Sequence, residues 1–185
     1  TPQESVAAGA GLVFFSGDKL LGGPQCGIIV GKRELVQRLE KHPLARAVRI
    51  DKMSLAALTA TLLHYVKGDA VQQIPIWRMI AMQPEELKAI ASRWQAAIGQ
   101  RAAIAQSLST IGGGSLPGET LPTWVAAIGC DGLPGGAEGL ASRLRGQEPP
   151  VIGRIEADRV LLDPRTVLPG EEASLLQAVA KALTE

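Results

Sequence analysis

Cysteine and histidine are scarce in this chain, with two of each. Cys26 and Cys130 lie far apart with no second cysteine near either, which excludes a disulfide scaffold and, with only His42 and His64 to help, a metal site of the zinc type. A reducing cytoplasm is the compartment this implies. Long apolar runs are lacking too. None approaches the ~20 residues that a bilayer requires, so no membrane partner is expected. An excess of one charge is also missing: 19 Lys and Arg against 18 Asp and Glu leave +1, so any basic binding surface has to be local. There is no internal repeat or low-complexity tract. Thr1 to Ala10 carry no processing signal, and the chain begins without Met, which predicts a piece of a longer protein.

What is present is a globular balance. The 185 residues are 46% hydrophobic and 20% charged, enough for one domain, or parts of two, around a real core. Two short apolar runs, Leu12 to Phe15 and Cys26 to Gly31, read as buried strands of a sheet covered on both faces. Lys32 to Lys41 reads as a helix that His42-Pro43 stops. Ser54, as N-cap, opens a longer helix to Lys67, with Leu55, Leu58, Leu62 and Val66 as its inward stripe and Gly68 as its stop. Pro84 opens another, with Leu87, Ile90, Trp94 and Ile98 inward. From Ala105 the texture changes to short β runs (105–111, 123–129, 151–155 and 160–162) interleaved with helices at 137–144 and 171–183. That pattern predicts a small α+β domain with helices on one face of a mostly antiparallel sheet.

Chemistry is suggested at two places. Phe14-Phe15-Ser16-Gly17-Asp18-Lys19 puts a lysine where an apolar strand gives way to a loop. Partial burial there favours the neutral amine that imine chemistry needs, and glycines at 17, 22 and 23 would let a flat cofactor approach. The plain alternative is a charged corner after a strand. Ser16 to Lys19 also fit Ser-x-x-Lys, but in enzymes that use that pairing the serine starts a helix, and the glycines and Pro24 here oppose one. The second place is residues 32–52, with seven basic against three acidic side chains. Arg46 and Arg49 are spaced by three. On a helical turn they would aim two planar forks at one anion; otherwise they belong to a solvated face. Both cysteines read as small buried hydrophobes. Neither His42 nor His64 has a carboxylate or Cys partner at ligand spacing.

The run Val13 to Gln25 and the run Gly27-Ile28-Ile29-Val30-Gly31-Lys32 resemble the bacterial selenocysteine synthase family, the L-seryl-tRNA(Sec) selenium transferases. So do His42 to Met53, Gly112 to Pro117, and Val151-Ile152-Gly153-Arg154-Ile155. The resemblance implies an α/β fold: the end of a pyridoxal-phosphate-dependent, aspartate-aminotransferase-like large domain over 1–52, then a linking helix and small α+β carboxy-terminal domain over 53–185. It implies Lys19 as the lysine that carries pyridoxal 5'-phosphate as an internal aldimine and acts as acid and base. Ser16 would lie near the cofactor phosphate, and Arg46 and Arg49 would bind the anionic substrate. The implied reaction converts seryl-tRNA(Sec) to selenocysteinyl-tRNA(Sec) with selenophosphate, through an aminoacrylate, in a homo-oligomeric cytoplasmic enzyme. Cys26 stands where a small residue such as alanine is expected. The tRNA-binding part, the phosphate cup, the ring-stacking residue and the acid facing the ring nitrogen are expected outside these residues, so the chain alone would be an incomplete enzyme. A related lyase acting on a small amino acid or amino sugar acid, or a non-catalytic fragment, are the alternatives.

Overall fold

The computed structural model describes residues 1–112 and 114–184; Gly113, within the glycine run of the family resemblance, lies outside them. The chain forms two compact units, Thr1–Arg78 and Met79–Glu185. The expected boundary lies at 52/53, whereas the packing divides the chain at 78/79 and leaves the helix over 52–67 in the first unit.

In the amino-terminal unit, helix α1 (Pro2–Ala7) was not foreseen; Pro2 opens it and the Thr1 hydroxyl accepts the Glu4 N–H at 3.3 Å. Strands β1 (Leu12–Ser16) and β2 (Gly27–Gly31) follow, paired antiparallel with Leu12 opposite Gly31 and Ser16 opposite Gly27. The expectation that both are fully buried is not met. Phe14 is 65% exposed, and its cross-strand partner Ile29 shares that open face. Residues on a two-stranded ribbon alternate sides, and here one side lacks a covering layer within the unit.

Helix α2 (Arg33–Glu40) ends where expected, yet His42-Pro43 also begins a helix. Proline at the first position needs no N–H, and the His42 Nδ1 accepts the Leu44 N–H at 3.2 Å, producing α3 (Pro43–Ala47). Helix α4 (Lys52–Lys67) is capped by Asp51 rather than Ser54. One Asp51 carboxylate oxygen takes the N–H groups of Met53 and Ser54 at 2.8 and 2.9 Å, and the Ser54 hydroxyl donates to the other at 2.6 Å. Gly68 closes the helix in the left-handed conformation, as expected. Its inward stripe is rotated from the expected one: Ser54, Leu58, Thr61 and His64 are half-buried, whereas Leu55, Leu62 and Val66 are exposed. Helices α5 (Ala70–Gln73) and α6 (Pro75–Ala81) complete this stretch.

The carboxy-terminal unit has the expected α+β form. Helix α7 (Pro84–Ile98) buries Leu87, Ala91 and Trp94. Strands β3 (Ala102–Thr110), β4 (Thr120–Gly129), β5 (Arg154–Glu156) and β6 (Arg159–Leu162) make one antiparallel sheet in the order β3-β4-β6-β5. Alternation along β4 sends Ala126 and Ile128 to one face, against Trp94 and helices α8 (Gly136–Arg145) and α9 (Glu172–Thr184). Val125 and Ala127 go to the other face with Leu161. The core is aliphatic around one tryptophan: Leu140, Leu144, Val160 and Val179 are fully buried. Arg93 clamps α7 to α9 by donating to both Glu172 oxygens, at 3.3 and 3.0 Å. Among the described residues no helix is long and apolar enough to cross a membrane.

Candidate functional site: the lysine loop

The loop from Gly17 to Cys26 is pinned by its own backbone. Gly17 N–H donates to Cys26 C=O at 2.8 Å, closing the hairpin end, and Gly23 N–H donates to Gly17 C=O at 2.8 Å. Between them Gly22 N–H donates to Lys19 C=O at 2.9 Å, so Lys19 occupies the first position of a tight turn whose central residues are Leu20 and Leu21. Gly22, which closes the turn, has φ +75°, a left-handed conformation that glycine adopts without strain. Lys19 is exposed and Ser16, the last residue of β1, is half-buried. The partial burial expected of Lys19 is not seen within these residues.

The glycines serve the loop rather than an open slot. A Cβ on Gly17 would collide with the Cys26 sulfur and lie 2.9 Å from Pro24 C=O, and one on Gly22 would run into Ile74. The small Cys26 side chain, half-buried, is thus what Gly17 packs against. Sequence reasoning missed the groups that hold this loop from outside. The Tyr65 hydroxyl donates to Leu21 C=O at 2.8 Å and lies 3.4 Å from Leu20 C=O, and it accepts the Trp77 indole N–H at 2.6 Å. Tyr65 is the chain's single tyrosine, which was the available signal. His64, expected to lack a carboxylate partner, has one: its Nδ1 lies 2.8 Å from Asp69 Oδ1 across the end of α4, a pairing five residues apart that helix spacing does not anticipate.

Arg46 lies in the last turn of α3, but Arg49 lies beyond the helix, past the Val48 cap. The two therefore do not share the helical turn on which their spacing was to aim them. Both are exposed, and the structure groups Ser16 with Lys19 on one hairpin, while Arg46 sits at the end of α3 and Arg49 on the connector between α3 and α4. Cys130 is buried, and that burial pushes its thiol up, away from nucleophilic use. Among the described residues no three His, Cys, Asp or Glu side chains are grouped to hold a metal.

The fold and the loop define an α/β protein with a lysine-bearing turn and a small α+β domain, and its architecture has a solved counterpart. The structure of D-glucosaminate-6-phosphate ammonia-lyase superposes with a TM-score of 0.63 at 23% identity, covering 97% of this chain and 46% of that one. The chain belongs to the L-seryl-tRNA selenium transferase family, whose model matches residues 1–168. It is 47% identical over 190 residues to the L-seryl-tRNA(Sec) selenium transferase of Moorella thermoacetica, 45% identical to that of Carboxydothermus hydrogenoformans and 42% to that of Nitratidesulfovibrio vulgaris. These matches cover 99%, 92% and 99% of this chain but 40%, 37% and 40% of the relatives, so the chain spans about 40% of their length.

Proposed function

We propose that the whole protein converts seryl-tRNA(Sec) to selenocysteinyl-tRNA(Sec) with selenophosphate, using pyridoxal 5'-phosphate, in the cytoplasm and as a homo-oligomer. The observation that carries this reading is Lys19: an exposed lysine on a hydrogen-bonded turn, three residues past the end of β1, in a chain of this family. The donor set fits the cofactor at its point of attachment, with an amine for the aldehyde carbon and the Ser16 hydroxyl at the strand end to donate to a phosphate oxygen. When bound, pyridoxal phosphate supplies an electron sink for charge at the substrate α-carbon.

Lys19 has two tasks in this reading. Its Nζ would hold the cofactor, and as a primary amine beside the substrate α-carbon it would accept and return a proton. The turn fixes the lysine backbone, so the side chain pivots from a constant origin. Arg46 and Arg49 contribute two permanent positive charges within a basic segment and receive the anionic selenium donor. The alternative lyase chemistry has no observation of its own, since a fold likeness at 23% identity speaks to fold alone.

The test is to incubate the whole protein with pyridoxal phosphate, reduce with borohydride and map the cofactor mass by peptide. The expected result is cofactor on the Lys19 peptide, none after Lys19→Ala, and loss of selenium transfer from selenophosphate to seryl-tRNA(Sec). Cofactor mapped to another lysine, with Lys19→Ala still active, would overturn the assignment.

A further inference from the structure

We infer that Tyr65 is a positioning residue for Lys19, working through the turn that follows the lysine and oriented by Trp77; the inference rests on the role proposed for Lys19. A four-residue turn carries outward carbonyls on its central residues, which water ordinarily solvates. Here the central residues are Leu20 and Leu21, and one phenol hydroxyl from α4 meets both carbonyls, with the shorter contact at Leu21. A hydroxyl has one proton and two lone pairs. The Trp77 N–H occupies a lone pair at 2.6 Å, which leaves the proton directed to the loop. The chain of donors therefore runs one way, from indole to phenol to the turn.

Two further contacts make this hold rigid. Tyr65 lies one residue after His64, whose ring pairs with Asp69, tying the end of α4 to the segment that leads into α5. Gly22, the closing residue of the turn, has no room for a Cβ because Ile74 lies against it. The turn is thus pressed by Ile74 on its glycine and hydrogen-bonded by Tyr65 on its carbonyls, with Lys19 C=O already committed to Gly22 N–H. The Lys19 backbone can shift only if this clamp opens.

Tyr65→Phe in the whole protein removes the hydroxyl and keeps the ring. Amide exchange measured on the cofactor-free protein should then speed at Gly22 and Gly23 by roughly three- to tenfold, the effect of one net hydrogen bond, while the β1–β2 ladder amides keep their rates. At sub-saturating pyridoxal phosphate the borohydride-fixed cofactor on the Lys19 peptide should fall by a similar factor and recover at saturation. Trp77→Phe should give a smaller effect in the same direction. The double variant should match Tyr65→Phe alone, since the two donors act in series. Unchanged exchange at Gly22 and Gly23, equal loosening of the β1–β2 ladder, or additive effects in the double variant would overturn the inference; if Tyr65→Phe does not fold, Trp77→Phe decides by the same readouts. Absence of cofactor on the Lys19 peptide of the unsubstituted protein would instead remove the role proposed for Lys19, an outcome visible before any Tyr65 variant is made.

Discussion

Arg165 gathers most of the polar interior of the carboxy-terminal unit. It is 4% exposed on a short 3-10 turn, Pro164–Thr166. Its guanidinium donates to Met79 C=O and Pro122 C=O at 2.7 Å each and to the Ser109 hydroxyl at 3.2 Å. Asp163 completes the network by accepting from Ser109, Thr123 and the Arg165 backbone at 2.6, 2.9 and 3.0 Å. Burial lowers the Arg165 pKa and the neighbouring Asp163 charge opposes that, as for a buried cation with a nearby counter-charge. Arg165→Met leaves Asp163 charged and several carbonyls without donors, so it is expected to destabilise by about 3–5 kcal/mol in urea unfolding, with Arg165→Lys recovering less than half. The outward arginines should behave differently. On the proposed function, Arg46→Ala or Arg49→Ala is expected to raise the KM for selenophosphate about tenfold while leaving the melting temperature within a degree or two, because both side chains are exposed, one at the end of a short helix and one just past it. Parental kinetics in both variants would return the pair to ordinary surface charge.

At the scale of the element, caps and turns decide where segments start. Asp51 caps α4 with a carboxylate whose pKa is lowered, first by the Ser54 hydroxyl and then by the Ser54 N–H. A depressed folded value means that the cap's contribution is fully present above the ordinary carboxylate pKa of 3.8 and is lost as pH falls through the lower folded value. Acid titration of α4 amide shifts by NMR should show that loss, and Asp51→Asn, which caps without titrating, should abolish the acid dependence. The β5–β6 hairpin turns through Ala157 and Asp158, both left-handed at φ 48° and 55°. Such a pair suits Asn-Gly far better than Ala-Asp. Replacing Ala157→Asn with Asp158→Gly is expected to stabilise by about 1 kcal/mol and raise the melting temperature by several degrees; an unchanged or lower melting temperature would show that the present residues make compensating contacts.

At the scale of the whole molecule, apolar burial is unequally shared. The unit Met79–Glu185 holds nearly every fully buried side chain, whereas Thr1–Arg78 exposes Phe14, Val48, Met53 and Val66 at 65–84%. Residues 79–185 are therefore expected to fold alone, with near- and far-ultraviolet circular dichroism melting together. Residues 1–78 should melt broadly and bind a hydrophobic dye. Equally sharp melting of both pieces would show that the first unit's core is better packed than its exposures indicate.

Local signals in the chain were enough for the strands around Lys19, the Pro84 helix with its Leu87 and Trp94 stripe, the Gly68 stop and the antiparallel character of the second sheet. These depend on periodicity, proline and glycine, which act within a few residues. Position after a strand, local charge and spacing singled out Lys19, Arg46 and Arg49, and the family resemblance added Ser16, as residues for the proposed site. What the sequence could not disclose were the choices made between segments. Asp51 displaced Ser54 as the cap because its carboxylate reaches two N–H groups. Leu55, Leu62 and Val66 satisfy a helical period, yet α4 turns Leu58 and Thr61 inward instead. A period identifies a stripe but not which stripe finds a partner. The Tyr65–Leu21 contact joins positions 44 residues apart, and Arg165 reaches Met79 across 86. Hydrogen bonds over such spans exist only once the chain has folded, so tertiary structure alone decided what holds the lysine turn in place.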